Sequence, residues 1–335
     1  MFHIDEPMPR ILANDGIDKA GKQILEAAGI EVVTDKVPQE ELVAALQGFD
    51  GILVRSATTV RKDLIDACPN LRLIGRAGVG MDNIDVAYAR EKGIRVINTP
   101  EASSQSVAEM VFAHLFTISR QLHHSNREMP SCGDKEKFNA LKKQFSSGFE
   151  LKGKTLGIIG FGNIGQAVAR MGLGLGMNIL PFKLRARDVK IEIDFFKTMS
   201  NANLVLTMQC VPFEQLLAES DFITLHVPFP KGAPPILARR EFDQMKKGVV
   251  VVNTARGGAI HEIDLLDALN KGTVAGAGLD VFEGEPLVRE ELRNHPAVSL
   301  SPHIGGSTVE AQERIGIEIA QKIVSFFEER SAATA

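Results

Sequence analysis

The stretch that most constrains the fold of this chain is residues 154–170, where a short apolar run ends at a glycine-rich turn and a helical pattern begins. The apolar run predicts a buried strand and consists of Leu156, Ile158 and Ile159. The turn has the spacing G-x-G-x-x-G, formed by Gly160, Gly162 and Gly165. A strand that leads through such a turn into a helix is typical of dinucleotide-binding domains, so these residues predict one.

The glycines of this turn each meet a physical requirement. Gly160 permits the tight turn, and Gly162 allows the backbone to approach a pyrophosphate closely. Gly165 allows the helix to pack tightly on the strand, so that the amides at the start of the helix face the anion. The alternative is an ordinary glycine-rich connection, but the strand before the turn and the helix after it favour a nucleotide site.

Length and composition limit the classes of protein to consider. At 335 residues the chain is long enough for two domains, and 44% apolar with 24% charged residues is typical of a soluble globular protein. A formal net charge of -4 gives no reason to expect nucleic-acid binding. No apolar run reaches the length of about 18 residues that would span a bilayer, and no secretory leader pattern occurs. We therefore expect neither membrane insertion nor secretion.

The cysteines indicate a reducing compartment. Cys68, Cys132 and Cys210 are odd in number and widely spaced, which argues against a disulfide framework and against a zinc site. We therefore expect a cytoplasmic protein that holds no metal.

The alternation of apolar runs and helical patterns predicts an α/β protein. Residues 10–99 contain short apolar runs separated by helical segments, as expected for a parallel sheet covered by helices. The same alternation continues from the glycine turn to about residue 302. These patterns predict two doubly wound parallel-sheet domains, a flavodoxin-like substrate-binding domain and a Rossmann dinucleotide-binding domain.

Two long helices bound the second domain. Residues 103–123 predict a helix able to carry the chain from one domain to the other, and residues 307–330 predict a closing helix that returns to the first. The apolar face of the closing helix contains Ala311, Ile315, Ile319 and Ile323. We place the substrate-binding domain at residues 1–105 and 303–335, and the dinucleotide-binding domain at residues 106–302.

Polar side chains follow predicted strands of the second domain and have complementary chemistry. Oxidation of a hydroxyl by hydride transfer needs a base for the hydroxyl proton. Histidine, which ordinarily titrates near neutrality, is the most suitable side chain, and His303 is the candidate. Glu285 could bond the far ring nitrogen, which would fix the tautomer and favour the protonated ring. Arg256 could hold a substrate carboxylate through its planar guanidinium. Singly each residue is more often structural, but beside a dinucleotide loop the set predicts catalysis.

Two strand ends of the first domain also carry polar residues. Arg55 and Ser56 follow the third predicted strand, and residues 76–80, RAGVG, follow the fourth. Ligands of open parallel sheets bind at the carboxyl ends of the strands, so these residues predict a ligand site. Arginines that merely extend into solvent are the alternative interpretation.

Several segments resemble those of a known family. They are VRSAT at residues 54–58, GRAGVGMDNID at 75–85, SVAE at 106–109 and SPHIGGSTVEAQ at 301–312. On these segments the chain resembles, over nearly its full length, the D-isomer-specific 2-hydroxy acid dehydrogenases. The resemblance implies reversible oxidation of a D-2-hydroxy acid, here a phosphorylated one, with a nicotinamide cofactor and no metal. It also implies a homodimer formed through the dinucleotide-binding domain.

The resemblance assigns roles to individual residues. It implies that Arg256, Glu285 and His303 are catalytic, with His303 as the proton donor in reduction and the proton acceptor in oxidation. Further cofactor contacts are implied for Asn163, Ile164, Thr254, Ala255, Asp280, Ile304 and Gly305. Arg55, Ser56 and Arg76 would hold the substrate phosphate, and Val79 and Gly80 would offer amides to its carboxylate.

Two other functions remain open from the sequence. An unphosphorylated substrate would make the protein a glyoxylate or hydroxypyruvate reductase, and Arg55 distinguishes the two because only a phosphate needs a cation there. A dinucleotide-sensing binding protein similar to corepressors of this fold is the alternative from a different class, and measured turnover would exclude it.

The chain departs from the family pattern at four places. Lys183, followed by Arg185 and Arg187, stands where an acidic residue usually receives the adenine-ribose hydroxyls, so we expect NAD(H) with NADP(H) also accepted. Residues 191–209 form a longer connection than usual, and Ser103 replaces a frequent asparagine. Because the sequence ends at Ala335, we expect no appended regulatory domain.

Overall fold

The structure, a computed structural model, describes residues 8–185, 188–193, 204–230 and 232–334, with side chains described as far as residue 330. It divides into two compact units. The first unit contains the chain up to Ser104 and again from Gly306 onward, and the second unit is Gln105–Gly305. Among the described residues, none of the helices combines the length and the apolar character needed to cross a bilayer.

The secondary structure alternates between strands and helices. The strands are β1 (Arg10–Ala13), β2 (Glu31–Val33), β3 (Gly51–Val54), β4 (Leu73–Arg76), β5 (Arg95–Asn98), β6 (Thr155–Ile159), β7 (Asn178–Phe182), β8 (Val189–Ile193), β9 (Leu204–Met208), β10 (Phe222–Leu225), β11 (Val249–Asn253), β12 (Val274–Leu279) and β13 (Val298–Leu300). The helices are α1 (Lys19–Ala27), α2 (Leu42–Ala45), α3 (Lys62–Ala67), α4 (Val86–Glu91), α5 (Ser104–Ser119), α6 (Leu122–Glu128), α7 (Lys135–Gln144), α8 (Asn163–Gly174), α9 (Phe213–Glu219), α10 (Arg239–Phe242), α11 (Glu262–Asn270), α12 (Glu290–Arg293) and α13 (Val309–Thr334).

The first unit is built on a parallel sheet with strand order β2-β1-β3-β4-β5. This is the flavodoxin-like order, in which the chain reverses its direction of winding between β1 and β3. The closing helix α13 packs on this sheet through the apolar stripe that its sequence predicts, and Ala311, Ile315, Ile319 and Ile323 are all buried. The loops after β3 and β4 therefore leave neighbouring strands at the same edge of the sheet.

The second unit has a parallel sheet with strand order β13-β12-β11-β10-β6-β7. Its central strand β11 reads VVVVN and is buried throughout, as expected for a parallel strand covered by helices on both faces. Winding reverses at β6, which pairs with β7 on one side and β10 on the other. The glycine turn after β6 thus lies at the switch point, where ligands of doubly wound sheets bind. The α/β class with two parallel sheets is confirmed.

The helix predicted for residues 103–123 is shorter in the structure. α5 ends at Ser119, and Gln121 takes a left-handed conformation with a φ of 49°, which breaks the helical path before α6 begins.

An antiparallel pair of strands, β8 and β9, overlaps the long connection of residues 191–209. Ile191 and Ile193 are buried against the cluster that contains Val168 of α8, while Lys190 and Glu192 are exposed. This alternation is that of a strand with one buried face. Residues 194–203 lie outside the described part of the chain.

Candidate active site

The glycine turn has the close contacts that its sequence spacing requires. A Cβ on Gly160, whose φ is 97°, would lie 2.4 Å from the carbonyl oxygen of His226. A Cβ on Gly165 would lie 2.2 Å from the carbonyl oxygen of Gly160, so α8 approaches the turn at backbone distance. A Cβ on Gly162 would meet nothing within 4 Å, which leaves open space beside the backbone. The two crowded positions shape the turn, and the open one leaves room for a pyrophosphate.

The groups around this turn fit a dinucleotide. α8 begins at Asn163, and its N-cap, Gly162, has no side chain that could bond the first amides. Uncapped amides at the start of a helix bind phosphate groups well. After β11, the hydroxyl of Thr254 is buried and has no hydrogen-bond partner within the described residues, so it could bond a ligand. The Ala255 N–H donates to the side-chain oxygen of Asn253 (3.0 Å), and this bond fixes the backbone at the end of β11.

Lys183 lies beside the glycine turn. The Gly160 N–H donates to the carbonyl oxygen of Phe182 at 3.0 Å, and Lys183 is the exposed residue that follows. Arg185 is also exposed, whereas Arg187 lies outside the described residues. The end of β7 therefore presents positive charge next to the turn, at the position where an adenine ribose is bound in doubly wound domains.

His303 and Glu285 form a hydrogen-bonded pair. The Nδ1 of His303 lies 2.8 Å from Oε2 of Glu285, and the two side chains remain 51% and 36% exposed. The hydrogen bond and the negative charge of Glu285 raise the pKa of His303, although partial burial opposes this. Since Nδ1 is occupied by Glu285, Nε2 is the ring nitrogen left to face a substrate.

Glu285 is itself held by the backbone. Burial would raise its pKa, but the hydrogen bonds from His303 and from the Phe282 N–H (2.9 Å) outweigh burial, and its pKa is lowered. The positive charge of Arg256 lowers the pKa of both members of the pair. One nitrogen of Arg256 donates to the carbonyl oxygen of Ala255 at 2.6 Å. The three predicted catalytic residues are therefore electrostatically coupled within the second unit.

Asp280 fastens the loop that carries His303. This buried carboxylate accepts hydrogen bonds from the N–H groups of Ile304 (2.9 Å) and Gly305 (2.8 Å) and from the hydroxyl of Ser301 (2.5 Å). Ile304 and Gly305, for which the resemblance implies cofactor contacts, thus have their backbone amides hydrogen-bonded to Asp280. Sequence reasoning did not identify Ser301, although it directly precedes the Pro-His pair.

A second clamp fastens the loop that carries Glu285. The Glu262 N–H donates to Glu283 (2.9 Å), the Glu283 N–H donates back to Glu262 (2.7 Å), and Arg289 lies 3.1 Å from Glu262. Burial raises the pKa of Glu262. This exchange joins the start of α11 to residues 282–285, and the sequence offers no local signal for it.

The loop after β3 in the first unit is held by two polar side chains. Asp15 accepts hydrogen bonds from the N–H groups of Arg55 (2.7 Å) and Thr58 (3.0 Å), and Asn83 donates to the Arg55 carbonyl oxygen (2.8 Å). Within the described residues the Arg55 guanidinium contacts no acidic group. Ser56, the next residue, is exposed. The backbone of the loop is thus fixed by hydrogen bonds, and the loop carries the cationic side chain of Arg55.

The loop after β4 is shaped by Arg76. Its guanidinium donates to the Ala77 carbonyl oxygen (3.2 Å) and fills the space where a Cβ of Gly78 would stand. Asn98 at the end of β5 donates to the Val79 carbonyl oxygen (2.8 Å). The amides of Val79 and Gly80 make no hydrogen bond to described parts of the chain, so they could bind a carboxylate.

Comparison with known proteins agrees with this arrangement. Residues 112–305 match the family described as D-isomer specific 2-hydroxyacid dehydrogenase, NAD binding domain. The chain is 43% identical over 318 residues to a hydroxypyruvate reductase of Thermotoga maritima, covering 94% of this chain and 97% of that enzyme. It is 39% identical over 324 residues to the D-3-phosphoglycerate dehydrogenase of Rattus norvegicus, covering 96% of this chain but only 57% of that enzyme.

A solved structure also resembles this chain over nearly its full length. The NADPH-dependent glyoxylate/hydroxypyruvate reductase of Sinorhizobium meliloti, crystallised with NADP and malonate, superposes with a TM-score of 0.76 at 26% identity and covers 96% of this chain and 94% of that one. The family match extends over more than half of the chain, and the Thermotoga enzyme extends the likeness to nearly the full length of both proteins. The chain therefore belongs to the D-isomer-specific 2-hydroxyacid dehydrogenases, and it is an NAD(P)-dependent oxidoreductase of that family.

Proposed function

We propose that the protein catalyses the reversible oxidation of D-3-phosphoglycerate to 3-phosphohydroxypyruvate, the first step of serine biosynthesis. The observation that carries this proposal is the Arg55 guanidinium, which has no acidic partner among the described residues and extends from a loop fixed by Asp15 and Asn83. A guanidinium that has no acidic partner among the described residues and stands on a fixed loop suits a phosphate dianion. The likeness to the rat D-3-phosphoglycerate dehydrogenase supports the same substrate.

His303 has the proton-transfer role in this proposal. Its raised pKa favours the protonated ring, from which Nε2–H can donate a proton to the substrate carbonyl oxygen during reduction. In the oxidative direction the neutral ring accepts the hydroxyl proton. Glu285 stabilises the imidazolium and fixes the ring through Nδ1. The bound nicotinamide supplies or accepts the hydride.

Each unit contains groups that suit a 2-hydroxy acid. In the second unit, Arg256 would hold the carboxylate next to the reacting carbon. In the first unit, the amides of Val79 and Gly80, which make no hydrogen bond to described residues, suit a carboxylate. Arg55, Ser56 and Arg76 bind the phosphate. In the second unit the open backbone at Gly162, the amides at the start of α8 and the Thr254 hydroxyl bind the dinucleotide.

Reduction of hydroxypyruvate or glyoxylate is the second candidate. It is favoured by the Thermotoga hydroxypyruvate reductase, which has the higher identity and matches nearly its whole length. The two candidates share the proton-transfer residues and differ in whether a phosphate is recognised. The distinction therefore depends on Arg55 and its neighbours.

We further propose that the protein is a cytoplasmic homodimer formed through the second unit. Large apolar side chains are exposed on α5 to α7 and on the segment that follows, and they are Phe116, Leu122, Met129, Phe138 and Phe149. Such a concentration of exposed apolar side chains is typical of a protein interface. Analytical ultracentrifugation of Leu122→Glu and Phe138→Glu variants would test this.

A substrate panel tests the proposed reaction. The initial rates of reduction of 3-phosphohydroxypyruvate, hydroxypyruvate, glyoxylate and pyruvate would be measured with NADH and with NADPH. The proposal expects the highest kcat/KM with 3-phosphohydroxypyruvate and NADH. A higher kcat/KM for hydroxypyruvate or glyoxylate would establish the second candidate instead.

A further inference from the structure

A buried histidine in α5 contacts the end of strand β13. His114 is 4% exposed, and its Nδ1 and Nε2 lie 2.9 Å and 3.0 Å from the hydroxyl oxygens of Ser299 and Ser301. The two serines are two positions apart along an extended segment, so their side chains point to the same side. The ring is therefore bonded at both nitrogens within an otherwise apolar helix face.

The hydrogen bonds in this cluster can have only one direction. The carboxylate of Asp280 is an acceptor, so the single hydroxyl hydrogen of Ser301 is directed to Asp280. The Ser301 oxygen must then accept from His114, which places the ring hydrogen on Nε2. Burial lowers the pKa of His114, so the ring is neutral and its Nδ1 accepts from the Ser299 hydroxyl.

The hydrogen bonds that begin at His114 lead through Ser301 and Asp280 to the backbone on both sides of His303. Asp280 receives the Ser301 hydroxyl before His303 and the amides of Ile304 and Gly305 after it. The Gly305 carbonyl oxygen in turn accepts from the Ser106 hydroxyl at 2.7 Å. His303 itself has a φ of 55°, a left-handed conformation that a residue with a side chain adopts only when its surroundings enforce it.

We propose that His114 and Ser301 are positioning residues that act through Asp280 to hold His303 in this conformation and in register with Glu285. The proposal rests on the proposed proton-transfer role of His303. Neither His114 nor Ser301 needs to touch the substrate. Their effect is to keep the imidazole at the distance from Glu285 and from the substrate carbonyl that proton transfer requires.

The test compares Ser301→Ala with Ser299→Ala. Both remove one hydroxyl bonded to His114, but only the first removes a bond to Asp280. We expect Ser301→Ala to lower kcat by at least about tenfold with little change in the Kd for NADH, because misplacement of a reacting group has effects of this size or larger. We expect Ser299→Ala to stay within about twofold of the parent, and Ser301→Thr, which keeps the hydroxyl, to recover the parent kcat.

The pH profile separates positioning from a loss of stability. If His303 moves away from Glu285 in Ser301→Ala, the alkaline limb of kcat for reduction should shift to lower pH, whereas partial unfolding would lower the amplitude without moving the limb. A parent-like kcat and pH profile in Ser301→Ala, or equal losses in both alanine variants, would overturn the proposal.

The ring hydrogen of His114 can be observed directly in the parent protein. Long-range proton–nitrogen NMR of the complete protein, with the signal assigned by comparison with His114→Gln, should show the hydrogen on Nε2. A hydrogen on Nδ1 would contradict the bond direction.

The variant His303→Ala distinguishes failure of the proposed function from failure of the positioning role alone. If it keeps parent turnover, the proposed function fails and the positioning role fails with it. If it is inactive while Ser301→Ala behaves as the parent, only the positioning role fails.

Discussion

His303 and Glu285 are eighteen positions apart in the chain, yet Nδ1 of the histidine lies 2.8 Å from Oε2 of the glutamate. Two separate clamps produce this distance. Asp280 holds the amides that follow His303, and the exchange between Glu262 and Glu283 holds the loop that leads to Glu285. Each member of the pair is thus placed by a buried carboxylate on its own side.

Replacement of His303 by alanine should lower kcat in both directions by about 100-fold or more, the range for loss of a positioned acid or base. The Kd for NADH, measured by fluorescence titration, should stay close to that of the parent. His261→Ala is the matched control, because His261 also lies beside a carboxylate, 2.8 Å from Asp264, in the same unit. Parent-like turnover of His303→Ala would exclude the assignment.

Replacement of Glu285 by glutamine should move the pH profile to lower pH. Glu285 raises the pKa of His303, so its neutralisation lowers that pKa. In reduction the protonated ring is required, and kcat should therefore begin to fall at a lower pH. In oxidation the neutral ring is required, and the rate should begin to rise at a lower pH. Glu291→Gln, at an exposed position of α12, serves as the control. Coincident profiles of the parent and Glu285→Gln would show that Glu285 is only structural.

Lys183→Asp should change the choice of cofactor. A carboxylate at the end of β7 would accept the ribose hydroxyls of NADH and repel the 2′-phosphate of NADPH. The ratio of kcat/KM for NADH to that for NADPH should rise at least about tenfold, or about 1.4 kcal/mol. Lys152→Asp makes the same charge change just before β6, at the end of that strand away from the glycine turn. It should leave the ratio unaltered. An unchanged ratio in Lys183→Asp would show that this residue does not face the ribose.

The fold could be predicted because its signals are local. Apolar runs, the glycine spacing after β6 and the stripe of α13 each lie within one short segment, and they are enough to indicate two parallel-sheet units. The pairing of Glu285 with His303 followed from chemistry rather than from periodicity. The residues VKIEI of β8 alternate between apolar and polar side chains, as expected of a strand with one buried face. This alternation is a local signal for β8, although it lies in a connection that is notable only for its length.

The supporting contacts could not be predicted because both partners are distant in sequence. His114 occupies an apolar helical pattern and gives no sign that Ser299 and Ser301 will face it. The family resemblance implies a cofactor contact for Asp280, and only the structure shows that its oxygens accept hydrogen bonds from the loop of His303. The roles of the predicted catalytic and substrate residues remain predictions that kinetics must decide.

The most direct test of the proposed reaction is the substrate preference of Arg55→Ala. The ratio of kcat/KM for 3-phosphohydroxypyruvate to that for hydroxypyruvate would be measured for the parent, for Arg55→Ala and for the control Arg90→Ala, an exposed arginine of α4 in the same unit. Since only the first substrate carries a phosphate, the ratio should fall at least about tenfold in Arg55→Ala and remain constant in Arg90→Ala. An equal loss on both substrates in Arg55→Ala would contradict phosphate recognition and leave the hydroxypyruvate reductase as the account of this protein.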